Sequence, residues 1–193
     1  MTMKQEKLSI LLDDLTKLPG ETSWVEFKEA KESYDFNKIG KYFSALCNEA
    51  NLSDKKFGWL VFGVENKNHK ITGSRYRINR TDLDSLKHEI AEKRGNRLTF
   101  IEIYELERPE GRVIMFQIPA APPGIPVAWD GHYYGREGES LSPLSLSEIE
   151  QIRGQTKPDW SAQICAGATL DDLDLQAVAK ARTEYKNKFP AKA

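Results

Sequence analysis

The sequence predicts a single α+β domain built on a mixed, mostly antiparallel sheet flanked by helices, with a C-terminal helical extension. Three observations carry this expectation. Apolar residues recur at three- and four-residue steps in several separate segments, the mark of helices that bury one face. Between them, Phe57–Val64 is an unbroken apolar run of strand length, as a central strand covered on both faces requires. The chain has 193 residues, enough for one well-packed core and short for two.

Taken in order, residues 3–17 read as an opening helix with Leu8, Leu11, Leu12 and Leu15 at helical spacing, ended by Pro19-Gly20. A strand follows over 21–28. Asp35 is placed to cap a helix reaching Asn51, on which Phe36, Ile39, Phe43, Leu46, Cys47 and Ala50 form one apolar stripe. Cys47 on that stripe is expected as a small buried hydrophobe. After the central strand, the polar turn Glu65–His69 returns through Lys70–Gly73 as a hairpin arm. Thr81 or Asp82 caps a helix with Leu83, Leu86 and Ile90 inward, closed by Gly95. Strands are predicted at 98–106 and 112–118, joined by a five-residue loop, and the proline-rich stretch 120–126 leads to a short strand near Val127–Trp129. Asp130-Gly131 turns the chain into 133–140, where glycines flank Arg136 and let backbone approach a ligand. Ser147 with Glu150 reads as a capping box for a helix ending at Gly154. Residues 158–160 read as a linker, and Asp171, Asp172 and Asp174 precede a last helix whose end is rich in Lys and Arg. The expected divisions are an N-terminal helix over 1–18, a domain over 19–155, and a linker and helix over 156–193.

Composition narrows the classes of function. With 39% hydrophobic and 30% charged residues and no apolar run of membrane-spanning length, the chain is expected to be soluble, to engage no membrane, and to reside in the cytoplasm. Two cysteines, Cys47 and Cys165, make neither a disulfide framework nor a zinc site, and His69, His88 and His132 lack metal-ligand spacing. There is no phosphate-binding loop of the Gly-x-x-x-x-Gly-Lys type. The net charge of −1 means that a nucleic-acid partner would need a local basic patch. The richest stretch runs from Arg75 to Arg97, where Arg75, Arg77, Arg80, Lys87, Lys93, Arg94 and Arg97 are interleaved with Asp82, Asp84, Glu89 and Glu92. It reads equally as a mixed-charge helix surface.

Chemistry is concentrated in the segment Glu21-Thr-Ser-Trp-Val-Glu-Phe-Lys28. Strand alternation puts Glu26 and Lys28 on one face and Val25 and Phe27 on the other. Carboxylate oxygens suit Mg2+ and an ammonium suits a phosphate backbone, so the pair could serve either ligand, or form a solvated edge-strand face. Glu65 and Asn66 lie where the central strand emerges into a turn, a rigid but hydrated position suited to chemistry.

Several landmarks recur together: Glu21–Lys28, Phe43–Ala50, Gly58–Asn66 with Ile71–Gly73, and Tyr133–Arg136 with Gly138 and Ser140. In this order and spacing the chain resembles the Alba-like domain of the Schlafen family, which also stands at the N-terminus of bacterial divergent-AAA and RecG-helicase-related regulators. The resemblance implies that a further C-terminal part follows. It implies two activities, DNA binding in the bacterial proteins and, in some animal Schlafens, cleavage of structured RNA through three metal-binding acids. Two of those acids correspond to Glu21 and Glu26; the third falls on Asn66, whose neutral amide adds no charge against a cation unless Glu65 substitutes.

The first expectation is therefore a binding module for DNA or RNA, contacting phosphates through Lys28, Arg75, Arg77 and Arg136. The second is a nuclease using Mg2+ or Mn2+, with Glu21, Glu26 and Glu65 catalytic and Glu21, Glu26 and Asn66 about the metal. The third is a protein-interaction domain or homodimer anchored by Trp129, Tyr133 and Tyr134.

Overall fold

The computed structural model describes residues 5–18, 22–93, 98–138, 140–156 and 167–190. The chain divides into two compact units, Met1–Thr156 and Lys157–Ala193.

In the first unit, helix α1 (Gln5–Thr16) buries Leu8, Leu12 and Leu15, one turn apart along one face. Strand β1 (Val25–Lys28) begins later than the sequence suggests, because Thr22–Trp24 form a turn in which the Val25 amide donates to Thr22 O at 3.4 Å. Helix α2 (Phe36–Leu52) opens at Asp35, whose carboxylate accepts the Lys38 amide at 2.7 Å. Next come β2 (Phe57–Phe62), α3 (Arg80–Lys93), β3 (Glu102–Arg108) and β4 (Gly111–Pro119). The sheet order is β1-β2-β4-β3, with β1 parallel to β2 and the other pairs antiparallel.

Register sorts the side chains onto two faces. Val25, Phe27, Trp59, Val61, Met115 and Tyr104 meet the leucines of α1. Leu60, Phe62, Phe116 and Ile103 meet Ile39, Phe43 and Leu46 of α2 and Leu83, Leu86 and Ile90 of α3. Cys47 is fully buried in this second cluster, as its place on the apolar stripe requires. The outer edge of β3 is closed by side chains: Ile101 O, Ile103 O and Glu105 O accept from Lys87, Arg80 and Gln5 respectively. This occupies carbonyls on which another strand could pair.

A second antiparallel sheet, β5 (Ala128–Trp129), β6 (His132–Glu137) and β7 (Ser140–Pro143), lies on α2. Asn48 fixes it by donating to Val127 O and Tyr134 O at 2.9 and 2.8 Å and accepting the Val127 amide at 2.8 Å. Trp129, expected as an exposed anchor, is instead 1% exposed, because its ring lies against Gly40, where α2 has no Cβ. Strand β7 is an addition to the expected elements. Helix α4 (Leu146–Arg153) starts two residues earlier than expected, since the capping box is formed by Ser145 and Glu148. Helix α3 likewise starts before Thr81; Asn79 O accepts the amides of Asp82 and Leu83, and Asp82 stands within the first turn. The expected stops at Pro19-Gly20 and Gly95, and the linker 158–160, lie outside the described residues.

In the second unit, helix α5 (Leu175–Lys188) is capped by Asp174, which accepts the amides of Gln176 and Ala177. No side chain of α5 is buried.

Candidate nucleic-acid interface

Helix α2 crosses β1 in the opposite direction. Ser23 and Ser53 hydroxyls meet at 3.3 Å and Lys55 lies over the Trp24 ring at one end of the strand, while Lys28 lies over the Tyr42 ring at the other. Four residues of strand separate the two ends, about 13 Å at the usual rise. The seam between β1 and α2 therefore has a cation seated on an aromatic ring at each end.

Glu26 occupies the middle. Its register partner is Leu60, so its side chain points to the α2 face, and none of it is exposed. One carboxylate oxygen is 2.5 Å from the Lys28 ammonium, and the other contacts the Arg136 guanidinium. The Arg136 side chain is 3% exposed; it also donates to Val25 O at 2.9 Å, and the residue's backbone amide donates to Glu49 at 2.8 Å. The close approach of β6 depends on Gly135, where a Cβ would stand 3.0 Å from the Glu49 carboxylate and against Leu144. The solvated Glu/Lys face that an edge strand suggests is thus replaced by a buried ion cluster, because the second sheet folds over it.

Around the cluster, Tyr42 and Glu49 are buried and Tyr34 is half-buried. Burial, reinforced by the charge of Glu26, pushes the Tyr42 hydroxyl up to about 12. Burial and the neighbouring Tyr42 push Tyr34 well above the ordinary tyrosine value. Burial also raises the Glu49 carboxyl, opposed by its bond from the Arg136 amide. Lys28, with 24% of its side chain exposed, is the cation of this cluster that reaches solvent.

Of the residues singled out in the sequence, Glu26, Lys28 and Arg136 are brought together. Arg75 stands at the Lys28 end of β1: its amide donates to Lys31 O at 2.6 Å, and its side chain is 71% exposed with Glu32 3.5 Å away. Lys31, Glu32, Gly73, Arg75, Glu110 and Arg112 are among the residues lining a cleft of about 390 Å³ there, where both signs of charge meet. Arg77 is held by Glu89 through two hydrogen bonds of 2.7 and 2.8 Å, which raise the one and lower the other in pKa. Arg80, Lys87 and Lys93 likewise pair with acids, so the described part of the basic stretch is a mixed-charge surface. Arg94 and Arg97 lie outside the described residues.

Of the described acids, Glu65 does not share the seam with Glu26. Parallel pairing carries Glu65 five residues beyond Leu60, past the turn at Gly63, where its amide donates to Lys70 O and Asn66 opens the next turn. Glu21 lies outside the described residues. Among the described residues no three His, Cys, Asp or Glu side chains are grouped to hold a metal ion. Glu26 already has one cation on each oxygen. Both oxygens of Glu26 are thus engaged by side-chain cations, where a metal ligand would offer them to Mg2+ or Mn2+.

Sequence reading missed Tyr34, Tyr42, Glu49, and the pairs Lys55–Trp24 and Lys41–Tyr134, the last 5.6 Å apart. A signal did exist: Ser44, Asn48 and Glu49 are polar residues within the run Tyr42–Ala50 of α2, all of which is buried. Buried polar side chains need partners, which here are supplied by the second sheet.

The fold and the cluster define a class: an α+β domain whose accessory sheet locks an arginine onto a buried glutamate of the main sheet's edge strand. The chain belongs to the Schlafen AlbA_2 family, whose model matches residues 21–145. Among solved structures, it is similar in fold to the crystal structure of the DIP2311 protein from Corynebacterium diphtheriae, with TM-score 0.53 and 21% identity. That match covers 96% of this chain and 35% of the other, so the chain spans about a third of that protein's length. The solution structure of the N-terminal domain of a RecG-related protein from Nitrosomonas europaea also matches, with TM-score 0.43 and 19% identity, over 75% of this chain and 94% of that one. No curated protein matches the chain. No described helix is long and apolar enough to cross a membrane.

Proposed function

We propose that the chain is a nucleic-acid-binding module that takes phosphates along the β1–α2 seam and at the cleft beyond its Lys28 end. Family membership supports this reading. The observation that carries it is the charge left over at Lys28. Two cations, Lys28 and Arg136, share the one carboxylate of Glu26. The surplus positive charge emerges at the Lys28 ammonium, which solvent reaches. Lys41 and Lys55, each held over a ring, and the exposed Arg75 extend the positive surface. Arg136 and Arg77 act through position, being held in ion pairs.

Fluorescence anisotropy with a labelled oligonucleotide over a range of salt tests the reading. Affinity is expected to fall linearly with salt on logarithmic axes, and Lys28→Ala to reduce the slope by about one, the value for a lost phosphate contact. Absence of binding at low salt, or binding indifferent to salt, contradicts it. The metal-dependent nuclease has no comparable support in the described donor set. It predicts cleavage of RNA or DNA with Mg2+ or Mn2+ that Glu26→Gln abolishes, and intact substrate after long incubation rejects it.

A further inference from the structure

We propose that one face of α5 is a platform for single-stranded nucleic acid, on which bases stack against Tyr185 and Phe189 while phosphates meet Arg182 and Lys186. The inference rests on the nucleic-acid reading above and assigns it a second contact surface of stated preference.

At 100° per residue, Leu175, Val178, Arg182, Tyr185, Lys186 and Phe189 fall within an arc of about 100° on the helix. The one acid of α5, Glu184, projects to the opposite side. Tyr185 and Phe189 are 50% and 41% exposed, and their rings lie 5.1 Å apart. Lys188 stands 5.7 Å from the Phe189 ring centre. Val178, Ala181, Arg182, Tyr185 and Lys186 lie side by side on this face as an open, shallow surface. None of the helix's side chains is buried.

In the first unit Arg75, Arg77, Arg80, Arg108, Arg112 and Arg136 are paired with acids. On α5, Lys180, Arg182, Lys186 and Lys188 have no acidic partner among the described residues, and four cations stand against one acid. An exposed pair of aromatic rings bordered by unpaired cations complements a polymer that alternates planar bases with phosphates. In a duplex the base faces are stacked on one another and are closed to these rings.

The test compares the full chain with Tyr185→Ala/Phe189→Ala, using labelled oligo-dT and a duplex of equal length at low salt. Both residues are exposed, so the variant is expected to keep the far-ultraviolet circular dichroism of the parent. Single-strand affinity is expected to fall roughly five- to a hundredfold for each ring lost, with duplex affinity changing less than about twofold. Equal losses on both substrates overturn the stacking role. Unchanged single-strand binding in a chain that Lys28→Ala still weakens overturns the α5 assignment alone, while a parent chain that binds neither substrate overturns the nucleic-acid reading itself. Co-sedimentation with phosphatidylserine-containing vesicles without any preference for oligo-dT would make the face a membrane contact and reject the proposal.

Discussion

Glu26→Gln removes one charge from a cluster in which the carboxylate is fully buried and the Arg136 side chain is 3% exposed. The amide keeps the shape but leaves a guanidinium enclosed without its counter-ion. Breaking a buried pair from one side costs about 3–5 kcal/mol. Lys28 can turn its partly exposed ammonium into water, so the loss falls mainly on Arg136 and belongs at the lower end, about 3 kcal/mol. At about 2–4 °C per kcal/mol for a chain of this size, the melting temperature should drop by roughly 6–12 °C. Thermal and urea unfolding followed by circular dichroism provide the measurement. The double variant Glu26→Gln/Arg136→Met should recover most of the loss, because replacing both ends of a buried pair by neutral groups of similar volume is often free of cost. A single variant within about 1 kcal/mol of the parent refutes the reasoning. So does a stability that rises with Mn2+ in the parent and not in the variant, since that would make Glu26 a metal ligand.

Other perturbations probe the neighbouring contacts. The folded-state value of Glu49 lies above the ordinary 4.5, so the stability tied to its neutral form is fully present below 4.5 and lost as pH rises through the folded value. Glu49→Gln, which keeps an acceptor for the Arg136 amide, should therefore be more stable than the parent at neutral pH and equal to it in acid; a variant less stable at neutral pH would contradict this. Tyr42 is raised from 10.0 to about 12, so the unfolded chain releases its proton first and stability should decline between those pH values, with Tyr42 ionising late in an ultraviolet absorbance titration. Ionisation of every tyrosine near 10.0 would show that the pocket is wet. Gly40→Ala places a methyl group against the Trp129 ring and should cost about 1–3 kcal/mol or more by overpacking; a neutral result would mean that the second sheet does not sit on α2 as described.

How much could be read in advance follows from the range of the forces. Helices α1 and α2 were legible because their apolar spacing and the Asp35 cap are local, and β2 because eight apolar residues admit few other fates. The ends of elements were less so. The capping box could be drawn through Ser147 and Glu150 or Ser145 and Glu148, two patterns offset by two residues, and only the packing of α4 chooses between them. The site was the hardest to read. Alternation correctly separated Glu26 and Lys28 from Val25 and Phe27, but nothing nearby in sequence shows that Arg136, more than a hundred residues on, buries the pair. Trp129 failed for a related reason: a tryptophan beside a turn looks exposed until Gly40 of a distant helix is seen to make room for it. The Arg75–Arg97 stretch shows the reverse case, since its interleaved acids already announced the ion pairs that occupy most of its described cations.

The central claim is that Glu26 serves as an internal counter-ion shared by Arg136 and Lys28, so that the partly exposed Lys28 keeps positive charge to offer a phosphate. An amide NMR titration of the chain with a short oligonucleotide, followed by Mn2+, tests it most directly. The account predicts that the oligonucleotide shifts signals of Trp24–Lys28, Lys41 and Lys55, and that Mn2+ then broadens none of the signals around Glu26 selectively. Selective broadening at Val25, Glu26 and Leu60, with no oligonucleotide shifts along the β1–α2 seam, would contradict it.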